Sequence, residues 1–476
     1  MPKTDDFLYQ QLAGKLEKLI EKGIYAVGDK LPSVRELHLE HHVSISTALQ
    51  VYMQLEKKGW ITARERSGYY VQYPQQRRLQ LPAISTPGSA PSTVQVNEKV
   101  QRIRDGRRYK NVIPLDAAAP PNELFPLNKL HKALLHSVRA HRSLCVNYSD
   151  LNGYEPLRKV IARSTLSWKQ TINPADIIIT NGCMEAISLC LRAVAKPGDT
   201  IAIESPTFFG LLMTIESLGM KALEIPTDPV SGISLEKLEQ AFRKKQVKAC
   251  LLISNYNNPL GSCMPAAAKK ALAQLLHKYQ LPLIEDDAFG ELHHGPDRPA
   301  TIKAFDRDGW VLHCSSFSKW LAPGYRLGWV MPGRYFARVE QLKFMTTFST
   351  GLLPQLAVHS YLEQQRPDLH LKQLRQALAL QTQQMAQAIQ QYFPADTQLT
   401  CPEGAFNMWV VCSKKTDTWE LHRQAEAHRI SIMPGTLFTS RQQYKHCMRI
   451  SAALPWNDDL ARAVQTVGKL IRRINN

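Results

Sequence analysis

The chain has 476 residues, of which 44% are hydrophobic, and a formal net charge of +18. This length is too great for one small core and predicts a large domain with an accessory one. The charge favours a polyanionic partner such as nucleic acid. Nine cysteines are scattered singly, which argues against a disulfide framework or a zinc site, so no metal is expected.

The amino terminus carries acidic residues at Asp5 and Asp6, where a secretory signal would carry basic and then apolar residues. No apolar run approaches the ~20 residues that a helix needs to span a bilayer. The sequence therefore predicts a soluble, cytoplasmic protein without a membrane partner.

The first 75 residues have the pattern of three short helices and a hairpin. Leucines at helical spacing from Leu8 to Leu19 predict a first amphipathic helix. Ser33 to Glu36 has the form of a capping box, so a second helix is expected to begin there. Ser44 is a candidate N-cap for a third helix that ends at Gly59. Residues 60–71 alternate on both sides of a basic turn, which predicts a hairpin.

This order of elements is typical of a winged helix-turn-helix, whose third helix enters the major groove of DNA. The segments LPSVREL at Leu31–Leu37, VSIST at Val43–Thr47, GWI at Gly59–Ile61 and SG at Ser67–Gly68 resemble the DNA-binding domain of the GntR regulators. The resemblance implies double-stranded operator DNA as a partner. It implies contacts to phosphates or bases from Ser33, Arg35, Ser44, Ser46, Thr47, Arg64, Arg66 and Gly68.

One position departs from the GntR pattern. The family usually has an arginine after the serine at the start of the third helix, and this chain has Ile45 after Ser44. A polar base or phosphate contact is therefore lost, and an apolar contact to a thymine methyl group is expected in its place.

Residues 76–112 are rich in glutamine, proline, serine, threonine and arginine and have no clear helical or strand period. This composition predicts a flexible basic linker. Its charges either contact DNA or are simply solvated.

Residues 113–476 alternate short β-branched runs with helical stretches, which predicts an α/β domain with buried parallel strands. The predicted strands are 177–180, 201–203, 251–253, 283–284 and 311–312. Ligands of such sheets bind at the carboxyl ends of the strands, and the candidate site residues follow these runs.

Four candidate groups come after these strands. The turn at Gly182 and Cys183 opens a helix and offers backbone donors to a phosphate. Phe208 can lie against an aromatic ring. The amide of Asn258 is fixed ahead of a proline. The strand that ends at 285–287 supplies carboxylates, one of which can keep a pyridine nitrogen protonated.

The segment Ser315 to Gly328 completes the series. Lys319 follows small hydroxyl residues, as a lysine that forms a Schiff base with pyridoxal 5′-phosphate requires. Ser316, Ser318 and Arg326 can donate to the phosphate of the same cofactor. Each piece alone is more often structural, but the ordered series points strongly to this chemistry.

The ordered series resembles the fold-type I aminotransferases of class I/II. This implies a mainly parallel sheet and a smaller C-terminal α+β subdomain. It also implies that Lys319 bonds the cofactor, that Asp286 pairs with the pyridine nitrogen and that Asn258 donates to the phenolate. The remaining cofactor residues implied by the resemblance are Gly182, Cys183, Phe208, Ser316, Ser318 and Arg326.

Two further residues follow from the same resemblance. Tyr148 matches the tyrosine that reaches the phosphate of the neighbouring subunit, which implies a homodimer. Arg449 matches the arginine that binds a substrate α-carboxylate through two hydrogen bonds. Ala288 and Phe289 stand where relatives have a tyrosine hydroxyl, and this loss predicts weak transamination or none.

A GntR-type winged helix joined to an aminotransferase-like domain resembles the MocR subgroup of bacterial transcriptional regulators over nearly the whole chain. The resemblance implies that pyridoxal 5′-phosphate is used to sense an amino compound or a B6 vitamer. A catalytically active amino-acid aminotransferase is the alternative.

Overall fold

The computed structural model describes residues 8–21, 24–25, 29–64, 67–71, 79–106, 111–168, 171–365 and 367–476. The chain divides into two compact units, Met1–Leu79 and Gln80–Asn476. Across these described ranges, no helix combines the length and the apolar character needed to cross a membrane.

The small unit has the predicted order of elements. These are helices α1 (Leu8–Glu21), α2 (Val34–His41) and α3 (Ile45–Lys57) and the antiparallel strands β1 (Ile61–Arg64) and β2 (Gly68–Val71). The predicted capping box is present. Ser33 Oγ accepts from the backbone N–H of Glu36 at 3.2 Å, and the Glu36 carboxylate accepts from the Ser33 N–H at 2.6 Å.

The core of the small unit ties the hairpin to helix α3. Leu37, Val51 and Tyr52 are buried in one apolar cluster. The Tyr52 hydroxyl donates to the Pro32 carbonyl at 2.5 Å, and its ring stacks on Tyr69 of β2 at 4.6 Å. The buried face of α3 is therefore fully used inside the unit.

The large unit contains the remaining elements. Its helices are α4 (Asn97–Gly106), α5 (Leu127–Ala140), α6 (Glu155–Ser164), α7 (Cys183–Val194), α8 (Phe209–Ser217), α9 (Leu235–Arg243), α10 (Ala266–Tyr279), α11 (Phe336–Thr346), α12 (Leu352–Gln364), α13 (Pro367–Tyr392), α14 (Thr418–Ala427) and α15 (Asp458–Asn475). Its strands are β3 (Ser92–Thr93), β4 (Ile113–Pro114), β5 (Ile178–Thr180), β6 (Thr200–Ser205), β7 (Lys221–Asp228), β8 (Gly232–Ile233), β9 (Ala249–Leu252), β10 (Leu283–Asp286), β11 (Val311–Ser316), β12 (Gly328–Met331), β13 (Gln398–Leu399), β14 (Asn407–Val411), β15 (Ile430–Ser431), β16 (Met433–Pro434) and β17 (Cys447–Ser451).

The main sheet has the order β3-β7-β6-β9-β10-β11-β12-β5, and β8 pairs with β7. Strands β7, β6, β9, β10 and β11 are parallel to their neighbours within this run. Strand β12 is antiparallel to both β11 and β5. All five predicted strands lie in this sheet, which confirms the mainly parallel α/β fold.

Alternate side chains of each central strand enter opposite cores. In β6, Ile201 and Ile203 join the cluster with α7, α8 and α11, whereas Ala202 joins the cluster with α9 and α10. A sheet with helices on both faces buries its strands completely, and this explains why they are continuous apolar runs in the sequence.

A second, antiparallel sheet has the order β13-β14-β17-β16. Helix α15 packs against α13 and α14, and β15 pairs in parallel with β4. This is the predicted smaller C-terminal α+β subdomain. It brings β17 toward the carboxyl ends of the main-sheet strands.

The prediction of a structureless linker over residues 76–112 is wrong for much of that segment. Strand β3 pairs antiparallel with β7, and Val94 and Val96 are buried in the core of the large unit. The Val96 N–H donates to Glu216 at 2.7 Å. The pairing involves only two polar residues at a sheet edge, so it left no strand period in the sequence. Residues 76–78 and 107–110 lie outside the described ranges.

Candidate functional site

A cavity of about 190 Å³ lies at the carboxyl ends of β10 and β11. Nine of the predicted cofactor and effector residues line it, and they come from loops and strands far apart in the sequence. They are Cys183, Phe208, Asn258, Asp286, Ser316, Ser318, Lys319, Arg326 and Arg449. Gly182 directly precedes Cys183 at the start of α7.

Lys319 follows the end of β11 and projects its amine into the cavity. Nζ donates to the Ala118 carbonyl at 2.8 Å and lies 5.4 Å from the centre of the Phe289 ring. Burial, with repulsion from Arg449 and Arg326, lowers the pKa of Lys319 to about 8, although Asp286 opposes the shift. The lowered pKa leaves part of the amine neutral near physiological pH, and this neutral form is able to attack an aldehyde.

Asp286 ends β10 on the same side of the sheet. Its Oδ1 accepts from the Ala288 N–H at 3.1 Å and from the Cys183 thiol at 3.4 Å. Burial raises the pKa of Asp286, and these two donors and Lys319 only partly offset that effect. A buried carboxylate of this kind is stabilised by a protonated nitrogen placed against it.

The start of α7 and the loop before β12 form a cradle of donors. Gly182 has φ +81°, and a Cβ there would lie 2.5 Å from Nη2 of Arg326. A Cβ at Gly328 would lie 2.6 Å from the carbonyl carbon of Gly182. Nη1 of Arg326 donates to Ser318 Oγ at 3.3 Å, and the Ser318 N–H points at Ser316 Oγ at 3.4 Å. Only glycines allow a helix N-terminus, a guanidinium and two hydroxyls to converge here, as an anion site requires.

The chemistry of this donor set fits pyridoxal 5′-phosphate. The lysine amine matches an aldehyde, the buried carboxyl matches a pyridine nitrogen, and the cradle at Gly182 matches a phosphate. The three groups line one cavity, as a single compact ligand demands.

Arg449 lies on β17 and is only 2% exposed. Its Nη2 donates to the Asp116 carbonyl at 2.7 Å and its Nη1 to Asn258 Oδ1 at 3.2 Å. The guanidinium carbon lies 5.7 Å from the centre of the Phe438 ring. The planar group is therefore held in one orientation at the cavity wall, as recognition of a carboxylate requires.

Phe208 precedes α8 and forms an aromatic wall of the cavity. Its ring packs against Phe209 with centroids 4.7 Å apart. A Cβ at Gly210 would collide with the Phe208 ring, so that glycine is needed for the ring to lie where it does.

Tyr148 is the one predicted cofactor residue that lies away from the cavity of its own chain. It is 87% exposed and meets Phe348 edge to face, with centroids 5.4 Å apart. Phe289 does line the cavity, in contact with Phe406, and it has no hydroxyl to offer.

The sequence did not point to several residues of the cavity. These are Asp116, Ala118, Met184, Phe209, Ile253, Asn407 and Met433. Asp116 and Ala118 act through backbone carbonyls, which leave no trace in a side-chain pattern. Asn407 is buried, and among the described residues its amide atoms have no hydrogen-bond partner. The available sequence signal for Asn407 was its position as a polar residue at the start of the apolar strand β14.

The predicted DNA-contacting residues gather at the starts of α2 and α3. Arg35 is exposed on α2. Ser44 Oγ accepts from the Thr47 N–H at 3.0 Å and lies 2.7 Å from Ser46 Oγ and 2.8 Å from Thr47 Oγ1. Three hydroxyls therefore cluster beside the exposed N-terminus of α3.

The remaining predicted DNA contacts divide between the cap and the hairpin. The Ser33 hydroxyl is engaged in the capping box of α2. Gly68 is exposed with φ +107° and pairs with Arg64 across the hairpin. Arg66 lies outside the described residues.

Comparison with known families assigns both units. Residues 110–467 match the family of class I and II aminotransferases, and residues 8–71 match the gntR family of bacterial regulatory proteins. The HTH-type transcriptional regulator YdcR of Escherichia coli K12, itself uncharacterized, is 38% identical over 464 residues, which are 98% of this chain and 99% of the relative.

Solved structures resemble the large unit. The multiple substrate aminotransferase of Thermococcus profundus superposes with a TM-score of 0.74 at 25% identity, covering 80% of this chain and 96% of that enzyme. LysN, the α-aminoadipate aminotransferase of Thermus thermophilus, gives 0.73 at 25% identity, covering 80% and 96%, and holds N-(5′-phosphopyridoxyl)-L-leucine. The chain therefore belongs to the gntR-family bacterial regulators that carry a class I and II aminotransferase domain, the arrangement of the MocR subgroup.

Proposed function

We propose that the chain is a DNA-binding transcriptional regulator whose aminotransferase-like unit holds pyridoxal 5′-phosphate and senses an amino compound or a B6 vitamer. The observation that carries the proposal is the presence of two features in the same chain. It joins a winged helix to a cavity that keeps Lys319, Asp286 and Arg449 but has Phe289 where the relatives' hydroxyl would be.

Four residues are proposed to act on the aldehyde and the pyridine ring of the cofactor. Lys319 would bond its aldehyde, because burial lowers the pKa of the amine to about 8 and so raises its neutral fraction. Asp286 holds a proton on the pyridine nitrogen, and Phe208 stacks on the ring. Asn258 donates to the phenolate, since its Oδ1 already accepts from Arg449 and its amide nitrogen is thereby turned the other way. When bound, the cofactor supplies an electrophilic carbon for a primary amine.

The phosphate is held at the start of α7. The backbone N–H groups of Gly182 and Cys183, the hydroxyls of Ser316 and Ser318, and the guanidinium of Arg326 contribute donors. The Cys183 side chain has a separate role, because its thiol donates to Asp286 and burial raises its pKa.

Arg449 selects the effector. Its guanidinium is buried, held by Asp116 and Asn258, and lies at the cavity wall. A carboxylate bound there would orient an amino group of the same molecule toward Lys319. An amino acid or a related amino acid-like compound therefore fits this site better than a simple amine does.

We further propose a homodimer in which Tyr148 reaches the cofactor of the partner. Exposed apolar side chains accompany Tyr148 on the surface, where the Phe348 ring contacts the rings of both Tyr148 and Phe344. The exposed members of the patch are Leu144, Val146, Tyr148, Phe344, Met345, Phe348 and Leu353. A patch of this kind on a monomer would be unusual, and a second copy is its proposed cover.

On the DNA side, we propose that Arg35, Arg64, Arg66 and the backbone at Gly68 contact phosphates. Ser33 contributes by capping α2 and so fixing Arg35. Ser44, Ser46 and Thr47 direct the start of α3 to the bases.

The alternative function is a working amino-acid aminotransferase. The retention of Lys319, Asp286 and Arg449 supports it. Phe289 counts against it, because a ring without a hydroxyl cannot stabilise the cofactor phenolate near Lys319.

One variant separates the two functions. Lys319→Ala should preserve folding and basal DNA binding but abolish the change in DNA affinity that an amino-acid effector causes. Exposed Lys196→Ala is the matched control and should behave like the parent. DNA affinity is measured by fluorescence anisotropy with and without candidate amino acids. Rapid formation of a keto acid by the parent, with no effect of the amino acid on DNA binding, would favour the aminotransferase instead.

A further inference from the structure

The outer face of helix α3 carries an exposed apolar stripe. Ile45, Leu49 and Met53 are 54%, 41% and 58% exposed. They are spaced four residues apart, so they lie along one side of the helix, one turn after another. Large apolar side chains that recur at every turn of a solvent-facing helix are not explained by the packing of this unit.

The opposite side of α3 already makes the core. Ala48, Val51, Tyr52 and Leu55 are buried there. The stripe is therefore additional to the core, and within its own unit it has no structural task. A stripe of this kind calls for a surface outside the unit that offers small apolar groups.

The polar groups beside the stripe indicate what kind of outside surface the stripe would contact. Ser46 and Gln50 are exposed between the stripe residues. The exposed cations Lys30 and Arg35 lie outside α3, before and within α2, and Lys57 is exposed at the C-terminal end of α3. Cations at the edges with amide, hydroxyl and apolar groups in the middle match a DNA major groove, where phosphates flank the base edges.

The chemical groups on the base edges predict which DNA sequence α3 would prefer. In the major groove only thymine presents a methyl group, and adenine presents the donor and acceptor pair that a glutamine amide matches. Resting on the proposed DNA-binding function, we propose that α3 reads A·T base pairs. Ile45 and Leu49 contact thymine methyl groups, Met53 extends the apolar contact, and Gln50 recognises adenine.

The test removes single methyl groups from the DNA. The full chain first selects duplexes from a library with randomised centres. Each thymine of the selected half-site is then replaced in turn by deoxyuridine, which lacks only the methyl group. Loss of one buried methyl group costs about 0.8 kcal/mol, so binding at a contacted position should weaken about fourfold.

Two alanine variants link this effect to the stripe. In Ile45→Ala and Leu49→Ala, the preference for thymine over deoxyuridine should vanish at one position each. Leu39→Ala on α2 is the matched control, because Leu39 is also apolar and is 66% exposed but lies outside the stripe. Its preference should equal that of the parent.

A third variant gives a gain of function. Ile45→Arg should shift the preferred base at its position toward guanine, which offers two acceptors to an arginine. If deoxyuridine binds as well as thymine at every position while the duplex is still bound tightly, the proposed stripe contact is wrong. If no duplex is selected at all, the DNA-binding function itself fails.

Discussion

Gly182 and Gly328 approach so closely that a Cβ at residue 328 would lie 2.6 Å from the carbonyl carbon of Gly182. The atom it would strike belongs to the backbone, which cannot turn away as a side chain can. Strand β12 therefore fixes the start of α7, and with it the backbone donors proposed for the phosphate.

Gly328→Ala should weaken cofactor binding, because the new methyl group pushes the start of α7 away from Arg326. Overpacking of this kind costs about 1–3 kcal/mol, so the melting temperature should also fall. Gly324→Ala is the control, since a Cβ there has open space. Absorbance titration with pyridoxal 5′-phosphate and thermal unfolding measure the two effects. Equal cofactor affinity in both variants would contradict this account of the cradle.

Cofactor capture should depend on pH with a midpoint near 8, because the pKa of Lys319 is lowered to about 8 and only the neutral amine attacks an aldehyde. The rate should rise as pH increases through the midpoint and fall below it. Stopped-flow absorbance on cofactor-free protein measures the profile, and borohydride should fix the cofactor on a peptide containing Lys319.

Asp286→Asn tests the electrostatic cause of that midpoint. The Asp286 carboxylate raises the pKa of Lys319 against the effect of burial. Its removal should therefore move the midpoint to lower pH. A parent midpoint near 10.5, the ordinary range of lysine, would show that the cavity does not perturb the amine.

Arg449→Lys should reduce effector affinity roughly 10- to 100-fold and leave cofactor affinity nearly unchanged. A lysine keeps the charge but loses the fork that binds a carboxylate through two parallel hydrogen bonds. Effector affinity is read from the change in cofactor absorbance. An equal loss for an effector amine that lacks a carboxylate would point to a general disturbance of the cavity.

Arg35→Ala should weaken binding to all DNA sequences alike and reduce the slope of log affinity against log salt by about 1. The control is Lys58→Ala, which removes an exposed cation that already pairs with Glu17 at 2.6 Å. Anisotropy titrations at several salt concentrations give the slopes. An unchanged slope for Arg35→Ala would exclude Arg35 as a phosphate contact.

Structural elements that depend on residues close together in the chain could be predicted from the sequence. The capping box at Ser33 and the N-cap at Ser44 depend on neighbours within four residues, and both are present. The central strands were visible because burial on both faces makes them wholly apolar. Lys319 and Asp286 could be predicted to share a site, since both follow strands whose carboxyl ends meet at one edge of the sheet.

Features that depend on distant partners could not be predicted. Ala118 meets Lys319 through a backbone carbonyl, so its side chain carries no signal. Strand β3 is specified by the free edge of β7 rather than by its own two residues. Only Ile45 of the apolar stripe on α3 could be predicted from the sequence. Leu49 and Met53 are ordinary helix residues in the sequence pattern, and only the structure shows that they are exposed.

The pairing of β3 with β7 has a consequence for how such chains can be divided. The aminotransferase match begins at residue 110, yet the edge of β7 is covered by residues 92–93, and Val94 and Val96 fill the adjacent core. A fragment cut at residue 110 would leave a bare strand edge and an open apolar cleft, a template for self-association. If the small, winged-helix units of two relatives were exchanged, the large unit would therefore stay intact only if the junction lies before Gln80.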